Sequence, residues 1–552
     1  MTWKDCYPRP QLRRDSFFPL TDGWTLNEKP IVMPFPPQST AAAYDGEIGT
    51  TLVYRTAFTL PDGFCKARTL LQFGACDQVA SVTLNGKLLG SHKGGYLPFS
   101  FDVTDVLVSG ENVLVVDVTD EGGVFYPYGK QSATPHGIWY TAVSGIWQTV
   151  WLESVVADAI EDVTFTPTTD RVAVTVKTTA PVVTMTVTLP DNTTRTEQIR
   201  GGKTVLFFAD DAKKCWTPDT PHLYPVVFTT PDGDRAESYF ALREIALRRM
   251  GGKMRITLNN KPIFLNGVLD QGYFSDGIFL PADPDEFERD ILRMKALGYN
   301  VLRKHIKIEP CVFYAACDRL GMLVFQDFVN NGETKPLLKR KFPRIWKRFK
   351  KDNLFPRTAL QKFFLAHAKE TQAHLYNFPC VIGYTVFNEG WGQFHADAAY
   401  RAAKATDPTR LYDATSGWYA QHDSDFVSEH IYKENRVLRT SQDRPILLSE
   451  CGGYSYVVAG HSDQTHETYG YGAAEGTDAL TAAMETMYRE MVLPSVPYGL
   501  CGCIYTQLSD VEGEQNGIYT YDRAVCKVDA ARLAAVNAEV ARAYADAAEG
   551  NS

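Results

Sequence analysis

The sequence has no apolar run of the ~18 residues that mark a transmembrane helix, so no membrane span is predicted. Residues 1–6 are polar and lack the apolar core of a signal peptide. Basic residues are outnumbered, because 56 Lys and Arg against 65 Asp and Glu give a net charge of −9. This balance argues against nucleic acid or an anionic membrane surface as the main partner.

Cysteines in metal-binding pairs are also missing. The 11 cysteines are scattered singly, except for Cys501 and Cys503, which lie in one apolar run without a second pair to complete a zinc site. We therefore predict reduced thiols in a cytoplasmic protein. The sequence assigns no metal ligands and no cofactor, and it leaves the metal requirement open.

The chain is rich in the residues that build large cores. Of its 552 residues, 44% are hydrophobic, and the length suggests several domains of about 150 residues each. Short β runs separated by turn signals such as Asn85-Gly86 predict a β-sandwich over residues 1–155. Clean alternation of apolar and polar residues continues through 156–248 and predicts a second, immunoglobulin-like sandwich.

The hydrophobic period changes after about residue 250. Residues 284–298 have helical spacing and end in a glycine, and a strand, a helix over 311–320 and another strand over 322–327 follow. Alternating strands and helices over some 300 residues predict a (β/α)8 TIM barrel across residues 249–552.

Two apolar runs of this predicted barrel end in a glutamate. Residues 380–387 are followed by Asn388 and Glu389, and residues 445–449 are followed by Glu450. An isolated Asn-Glu-Gly would be an ordinary polar turn, but barrel enzymes place their chemistry at the carboxyl ends of the strands. Two carboxylates there suit acid/base work together with nucleophilic attack at an acetal carbon.

At this point the sequence resembles glycoside hydrolase family 2, which contains β-galactosidases, β-glucuronidases and β-mannosidases. The segments that carry the resemblance are residues 7–14, 84–90, 94–99, 101–104, 144–153 and 216–224. Each segment is weak alone, but their order and spacing together are specific. The resemblance implies a jelly-roll first domain, a glycoside or oligosaccharide substrate and possible assembly into homo-oligomers.

The resemblance also implies roles for individual residues. Glu389 matches the family's acid/base and Glu450 its nucleophile, and Asn388 matches the residue that contacts the sugar 2-hydroxyl. Tyr432 matches a tyrosine bound to the nucleophile, with a half-buried strand tyrosine as the alternative. Arg303 resembles an arginine near the nucleophile, with a surface charge as the alternative.

These roles imply double displacement with retention of configuration. Protonated Glu389 gives its proton to the leaving oxygen while Glu450 attacks the anomeric carbon, and water then resolves the covalent intermediate. The two carboxyl groups are expected about 5–5.5 Å apart, whereas roughly 7–9 Å would indicate inversion.

Five further residues are weaker candidates for substrate binding. Trp391 and Trp418 are candidates for stacking on a sugar face, with core packing equally compatible with the sequence. His305 and His430 are candidates at strand ends, where a histidine is more often satisfied by neighbouring groups than a metal ligand. Asp327 ends a strand and either orients a neighbouring side chain or caps the strand in solvent.

Departures from the family pattern bear on the sugar. Asp270 and Gln271 stand where many relatives carry Asn-Arg-His, so Asp270 is expected to contact the sugar differently. The lysine-bearing Asn-x-Lys-Gly element of glucuronidases is missing. The matching residues, 514–518, contain no lysine. A neutral sugar is therefore favoured, with a terminal β-galactoside first.

Several alternatives stay open at the level of sequence. Other family specificities are an α-L-arabinoside, a β-mannoside, a β-galactofuranoside and a β-glucuronide. A non-catalytic carbohydrate-binding protein and a transglycosylase are the rival classes. Lys130 belongs to a long sandwich loop that could reach the active site, and the basic tract 335–351 is either a solvated barrel loop or a binding surface for an acidic glycan or partner.

Overall fold

Alternating apolar and polar residues build the first β-sandwich of the computed structural model, which describes residues 2–122, 125–210, 213–330, 352, 358–462 and 467–550. In strand Thr51–Phe58, for example, exposed and buried residues alternate throughout. Asn85 and Gly86 both have positive φ angles (52° and 77°), as the tight turn between two paired strands requires.

The first sandwich has two antiparallel sheets. The six-stranded sheet contains, in spatial order, Lys29–Pro30, Thr25–Leu26, Thr51–Phe58, Asn112–Thr119, Val79–Leu84 and Lys87–Lys93. The four-stranded sheet contains Phe17–Pro19, Val150–Val155, Arg68–Phe73 and Phe99–Asp102.

The second sandwich is smaller and has a hydrophobic core of its own. One sheet contains Asp162–Pro167, Arg171–Lys177 and Lys203–Phe207, and the other contains Thr194–Arg200, Val182–Thr188, Tyr224–Thr229 and Arg235–Phe240. A three-stranded sheet, Ile245–Met250, Lys253–Leu258 and Lys261–Pro262, leads into the barrel.

The barrel is built from eight parallel strands. They are β1 (Leu265–Asp270), β2 (Val301–Lys304), β3 (Leu323–Asp327), β4 (Val381–Asn388), β5 (Leu411–Ser416), β6 (Val427–Ile431), β7 (Ile446–Cys451) and β8 (Leu500–Tyr505). The hydrogen-bonded order is β5-β4-β3-β2-β1-β8-β7-β6. Between the two end strands of this order, β6 and β5, the Ser428 hydroxyl donates to the carboxylate of Asp413 over 2.7 Å.

Helices cover the outside of the barrel. The longer helices are α1 (Glu286–Ala296), α2 (Cys311–Leu320), α3 (Thr358–Leu375), α4 (Ala396–Thr406), α5 (Thr477–Met487) and α6 (Ala530–Glu549). Because helices cover one face and side chains fill the interior, the strands are buried on both faces, and all eight residues of β4 are buried.

One segment of the first sandwich reaches the carboxyl end of the barrel. This bridging segment, residues 128–141, pairs Gln131–Ser132 with Tyr140–Thr141 in parallel. Its Tyr128 N–H donates to the carbonyl of Asn330 over 3.1 Å, and its Tyr140 hydroxyl donates to Glu514. A single hydrophobic core runs from the sandwich into the barrel, so the two units are packed together as well as linked.

The predicted architecture of two β-sandwiches and a (β/α)8 barrel is confirmed. The domain boundaries near residues 155 and 248 stay predictions, and the basic tract 335–351 lies outside the described residues. Within the described ranges, no helix combines the length and the apolar character that crossing a bilayer requires.

Candidate active site

The two predicted catalytic glutamates lie together at the carboxyl end of the barrel. Glu389 directly follows β4, Glu450 is the fifth residue of β7, and a carboxylate oxygen of one lies within 4.8 Å of an oxygen of the other. Glu389 has a left-handed backbone (φ 49°), and its N–H donates to the carbonyl of Ser416 over 3.0 Å. Such a conformation costs roughly 1–3 kcal/mol in a residue other than glycine and often occurs at functional sites.

Arg303 joins the nucleophile candidate to its neighbours. Its guanidinium donates to Glu450 over 3.0 Å, to the Asn388 side-chain oxygen over 2.9 Å and to both oxygens of Asp327 over 3.0 and 3.1 Å. Arg303 and Asp327 are each 1% exposed, so neither is a surface charge nor a solvated cap. One buried arginine therefore fixes the amide and the carboxylate expected to face the sugar.

The surroundings of Glu450 favour its ionised form. Burial alone would raise its pKa, but the electrostatic influence of His430, Arg303 and Lys130 outweighs burial and holds the pKa well below the usual range. The Tyr432 hydroxyl also donates to the second carboxylate oxygen. Glu450 is thus prepared as an anion near neutral pH, which a nucleophile requires.

We expect Tyr432→Phe to lower kcat by about tenfold, because a hydrogen bond to a charged group is worth roughly 1.5–3 kcal/mol and part of it is lost when Glu450 is alkylated. Losing a donor to the anion also raises the pKa of Glu450, so the acid limb of the pH–rate profile should move to higher pH. Steady-state kinetics between pH 4 and 9 measure both effects. The acid limb should move by about one pH unit for each 1.4 kcal/mol by which the hydrogen bond had favoured the ionised carboxylate.

Tyr239→Phe is the matched control, since Tyr239 gives an equivalent hydrogen bond (2.8 Å) to Asp318 away from the cleft. It should leave the pH–rate profile in place. Equal effects of the two substitutions would contradict a specific role for Tyr432.

His430 contacts the acid/base candidate. Its Nδ1 lies 2.9 Å from a Glu389 oxygen, and its Nε2 lies 2.8 Å from the hydroxyl of Ser416. The ring also stands between the two carboxylates, with Nε2 3.7 Å from Glu450. Hydrogen bonds on both nitrogens fix the ring, so His430 can hold the Glu389 carboxyl group in one orientation.

His305 is a neutral hydrogen-bonding group at neutral pH. Burial, reinforced by the charge of Lys130, lowers its pKa to about 4 despite the nearby Asp327. Its Nδ1 lies 2.6 Å from Asp327, whose ionised carboxylate accepts only, so Nδ1 carries the proton. This leaves Nε2 as an acceptor on a side chain that lines the cleft.

The remaining predicted residues divide between the cleft and the core. Trp391 lines the cleft and packs edge-on against Trp139 of the bridging segment, with centroids 4.7 Å apart. Trp418 is half-buried, lies 6.3 Å from the His430 ring and does not line the cleft. Asp270 also stays out of the cleft lining, because its carboxylate binds the buried ammonium of Lys304 over 2.6 Å. Its predicted sugar contact stays untested.

Sequence reasoning missed several cleft residues. Trp139, Tyr471, Thr506 and Glu514 line the cleft together with Glu389 and Glu450. Lys130 also lines it and was not missed, because its long sandwich loop was named from the sequence as one that could reach the active site. The Tyr471 ring stacks on Tyr432 at 3.7 Å, which extends the aromatic wall. The available signal was the number of aromatic residues in the long sandwich loop, which includes Tyr128, Trp139 and Tyr140.

One group of side chains in the cleft could in principle bind a metal ion. Within the described residues, the oxygens of Glu389 and Glu450 and a ring nitrogen of His430 form the group of potential ligands close enough to bind one ion. Hydrogen bonds from Arg303 and Tyr432 already occupy Glu450. The set therefore fits a proton-transferring and nucleophilic pair better than a metal centre.

A parallel barrel that follows two β-sandwiches and carries two adjacent carboxylates at its strand ends defines the class of multidomain glycoside hydrolases. The chain matches the family model described as the glycosyl hydrolase 2 galactose-binding domain-like domain over residues 44–142. It also matches the glycosyl hydrolases family 2 TIM barrel domain over residues 251–464. The two matches together span more than half of the chain, which belongs to glycoside hydrolase family 2.

Individual relatives are distant. A beta-galactosidase of Alteromonas mediterranea is 25% identical over 477 residues, which cover 77% of this chain and 43% of the relative. The chain thus spans less than half the length of the curated beta-galactosidases that it matches.

Solved structures share the fold over nearly the whole chain. The beta-D-glucuronidase of Dictyoglomus thermophilum aligns with a TM-score of 0.75 at 17% identity, covering 97% of this chain and 98% of the other. A family 2 beta-galacturonidase from Eisenbergiella tayi, bound to galacturonate, aligns with a TM-score of 0.70 at 17% identity, covering 96% and 98%.

Proposed function

We propose that this protein is a retaining exo-glycosidase that removes a terminal non-reducing sugar by double displacement. The observation that carries the proposal is the pair Glu389 and Glu450, with oxygens within 4.8 Å of each other at the carboxyl end of the barrel. This separation supports retention, because inverting enzymes keep their carboxyl groups roughly 6.5–9.5 Å apart to admit a water molecule.

Glu450 attacks the anomeric carbon as an anion. Arg303 donates to one of its oxygens and Tyr432 to the other, which fixes the carboxylate while each oxygen keeps a free lone pair for the attack. As the glycosyl ester forms, the negative charge on Glu450 disappears, and Arg303 keeps Asp327 as its counter-ion.

Glu389 transfers the proton in both halves of the reaction. In the first half it protonates the leaving oxygen, and in the second it takes a proton from the water that attacks the glycosyl-enzyme. His430, 2.9 Å from Glu389, orients the carboxyl group during both steps.

Asn388 is placed to bind the sugar 2-hydroxyl. Arg303 donates to the Asn388 side-chain oxygen over 2.9 Å, which sets the amide orientation and directs the amide nitrogen as a donor. A hydrogen bond to this hydroxyl strengthens as the oxocarbenium-like transition state forms, so it lowers the barrier rather than only tightening binding.

A neutral β-glycoside is the proposed substrate, with a β-galactoside first. The sequence relatives named beta-galactosidase support this choice, as does the missing lysine motif in residues 514–518. The alternative is a β-glucuronide or a related uronide, which the names of the structural neighbours favour. Cytoplasmic location and self-association stay predictions.

The first test is a panel of nitrophenyl glycosides with neutral and acidic sugars, followed by proton NMR of the first product. Release of the sugar with its original anomeric configuration is the expected result. An inverted first product would contradict double displacement, and a silent panel with retained sugar binding would favour the carbohydrate-binding alternative.

Glu389→Ala should lower kcat by about 10²–10⁴-fold for nitrophenyl or alkyl glycosides, since general acid catalysis typically contributes that much. For a dinitrophenyl glycoside the first step should be nearly unaffected, because this leaving group needs no protonation, and added azide should restore turnover by replacing water. Glu429→Gln is the control. Glu429 precedes His430 in the chain, but its carboxylate forms an ion pair with Arg436 and does not line the cleft. A loss of kcat/KM that is equal for all leaving groups would contradict the acid role, because kcat/KM reports the first step.

A further inference from the structure

The bridging segment brings a lysine into the cleft. Lys130 lines the same cleft as Glu389 and Glu450 and is only 9% exposed, with its ammonium 5.9 Å from the centroid of the Tyr140 ring. The lysine belongs to the sandwich, whereas the two glutamates belong to the barrel. Two folding units therefore share the site.

Lys130 faces a carboxylate across the cleft without forming an ion pair. Glu514, which also lines the cleft, is 1% exposed, and burial raises its pKa while the charge of Lys130 opposes that rise. Over the described part of the chain, no carboxylate lies within the 4.0 Å of an ion pair from the Lys130 ammonium. Lys130 and Glu514 thus line the same cleft and influence each other electrostatically, but no direct ion pair joins them.

Glu514 keeps the capacity to accept further hydrogen bonds. Tyr140 donates to one of its oxygens and Asn516 donates to the other over 3.0 Å. An ionised carboxylate has about four lone-pair positions, so each oxygen can accept once more. The two anchoring donors fix the carboxylate in place, as a specificity group requires.

A hydroxyl group suits the gap between Lys130 and Glu514. A hydroxyl both donates one hydrogen bond and accepts others, so it can accept from the ammonium and donate to the carboxylate. A sugar carboxylate cannot donate, and at this position it would face Glu514 with Glu450 nearby. Arg303 is already engaged by Asp327 and Glu450, so among the described residues that line the cleft, Lys130 is the lysine or arginine available to pair with a sugar carboxylate.

We propose that Lys130 and Glu514 together bind a hydroxyl of the terminal sugar, and that Glu514 excludes sugars with a carboxylate at that position. This inference rests on the proposed function and names the substrate class of the same site. Lys130 and Glu514 are specificity residues, because they contact the sugar without taking part in bond breaking.

The test compares Lys130→Met, Glu514→Gln and the double variant on the best neutral nitrophenyl glycoside and on the uronide of the same configuration. Each single variant should lower kcat/KM for the neutral substrate by roughly 10- to 100-fold, chiefly through KM, as expected for a lost hydrogen bond to a charged group. Glu514→Gln should also raise the ratio of uronide to neutral kcat/KM at least tenfold, because Lys130 can then pair with the sugar carboxylate.

The double variant distinguishes an effect of the Lys130 charge from a general disruption of the site. The gain in uronide preference should vanish in it, since the gain depends on Lys130. Lys130→Arg should retain most of the neutral activity, and thermal unfolding midpoints identify any variant that fails to fold. An unchanged neutral KM in folded Lys130→Met overturns the proposal, as does a parent enzyme that prefers uronides and needs Lys130 for them.

Binding measurements keep this proposal distinct from the proposed function. Calorimetry with galactose, glucose, mannose and arabinose, and with glucuronate and galacturonate, needs no turnover. Binding of a neutral sugar that weakens in Lys130→Met, in a protein that cleaves no glycoside, would overturn the proposed function alone. Binding that is insensitive to Lys130 and Glu514, in an active enzyme, would overturn this inference alone.

Discussion

Glu450→Gln is expected to abolish turnover of every glycoside that the parent cleaves, with kcat falling by at least about 10⁴-fold, as is usual when a covalent nucleophile is removed. The substitution keeps the size of the side chain, but a neutral amide cannot attack the anomeric carbon. In the parent, the electrostatic influence of His430 and Arg303 overcomes the effect of burial and keeps Glu450 ionised. The measurement is kcat on the preferred nitrophenyl glycoside.

A 2-fluoro sugar with a good leaving group provides the direct test of the same residue. It should inactivate the parent and add one fluoroglycosyl mass to the peptide that contains Glu450, and Glu450→Gln should take no label. Glu429→Gln should react like the parent. Labelling of another residue, or residual turnover within tenfold of the parent, would reject Glu450 as the nucleophile.

Arg303→Met should have the second-largest effect, because it leaves two buried carboxylates without their shared partner. Arg303 is 1% exposed and pairs with both Asp327 and Glu450. Breaking a buried ion pair by removing one partner typically costs about 3–5 kcal/mol of unfolding free energy. Urea unfolding followed by tryptophan fluorescence measures the loss.

The same substitution should move the pH dependence in a defined direction. The guanidinium favours the ionised form of Glu450, so its removal raises the pKa of Glu450 and the acid limb of the pH–rate profile shifts to higher pH. For the same reason, the stability that ionised Glu450 contributes is present above its unfolded-state pKa and is lost as pH falls toward the depressed folded pKa. In Arg303→Met the folded-state pKa lies closer to the unfolded-state pKa, so this contribution is smaller and its loss is complete at a higher pH.

Arg243→Met is the matched control for Arg303→Met. Arg243 is 3% exposed and donates to the carbonyl of Val381 over 3.0 Å, away from the cleft. Its loss should destabilise the barrel without moving the acid limb. An acid limb that stays in place in Arg303→Met would show that Arg303 supports the fold but not the ionisation of Glu450.

Local patterns allowed much of the fold to be predicted. The helical spacing over 284–298 is observed as the helix Glu286–Ala296, and the helix over 311–320 is observed as Cys311–Leu320. Such elements follow from hydrophobic periodicity and end signals within a short window. The two glutamates could be placed together for a similar reason, because the carboxyl ends of parallel strands in one barrel share one face.

The other cleft residues depend on contacts between distant parts of the chain. The hydrogen bond from Tyr140 to Glu514 joins residues separated by 374 positions, and no local pattern encodes that approach. The contact of Asp270 with the sugar stays a prediction, but its pairing with the buried Lys304 ammonium, which also binds Glu309 at 2.8 Å, was not predicted from the sequence. A buried charge pair of this kind appears in a sequence only as two separate polar residues.

The bridging segment has a practical consequence for protein engineering. Because Lys130 and Trp139 line the cleft that holds Glu389 and Glu450, random mutagenesis confined to the barrel would leave these two residues unchanged in every library member. A library that varies residues 128–141 together with residues 506–516 samples the bridging segment and the barrel at once. Changes of sugar preference should therefore be found more often in such paired libraries than in libraries of either half alone.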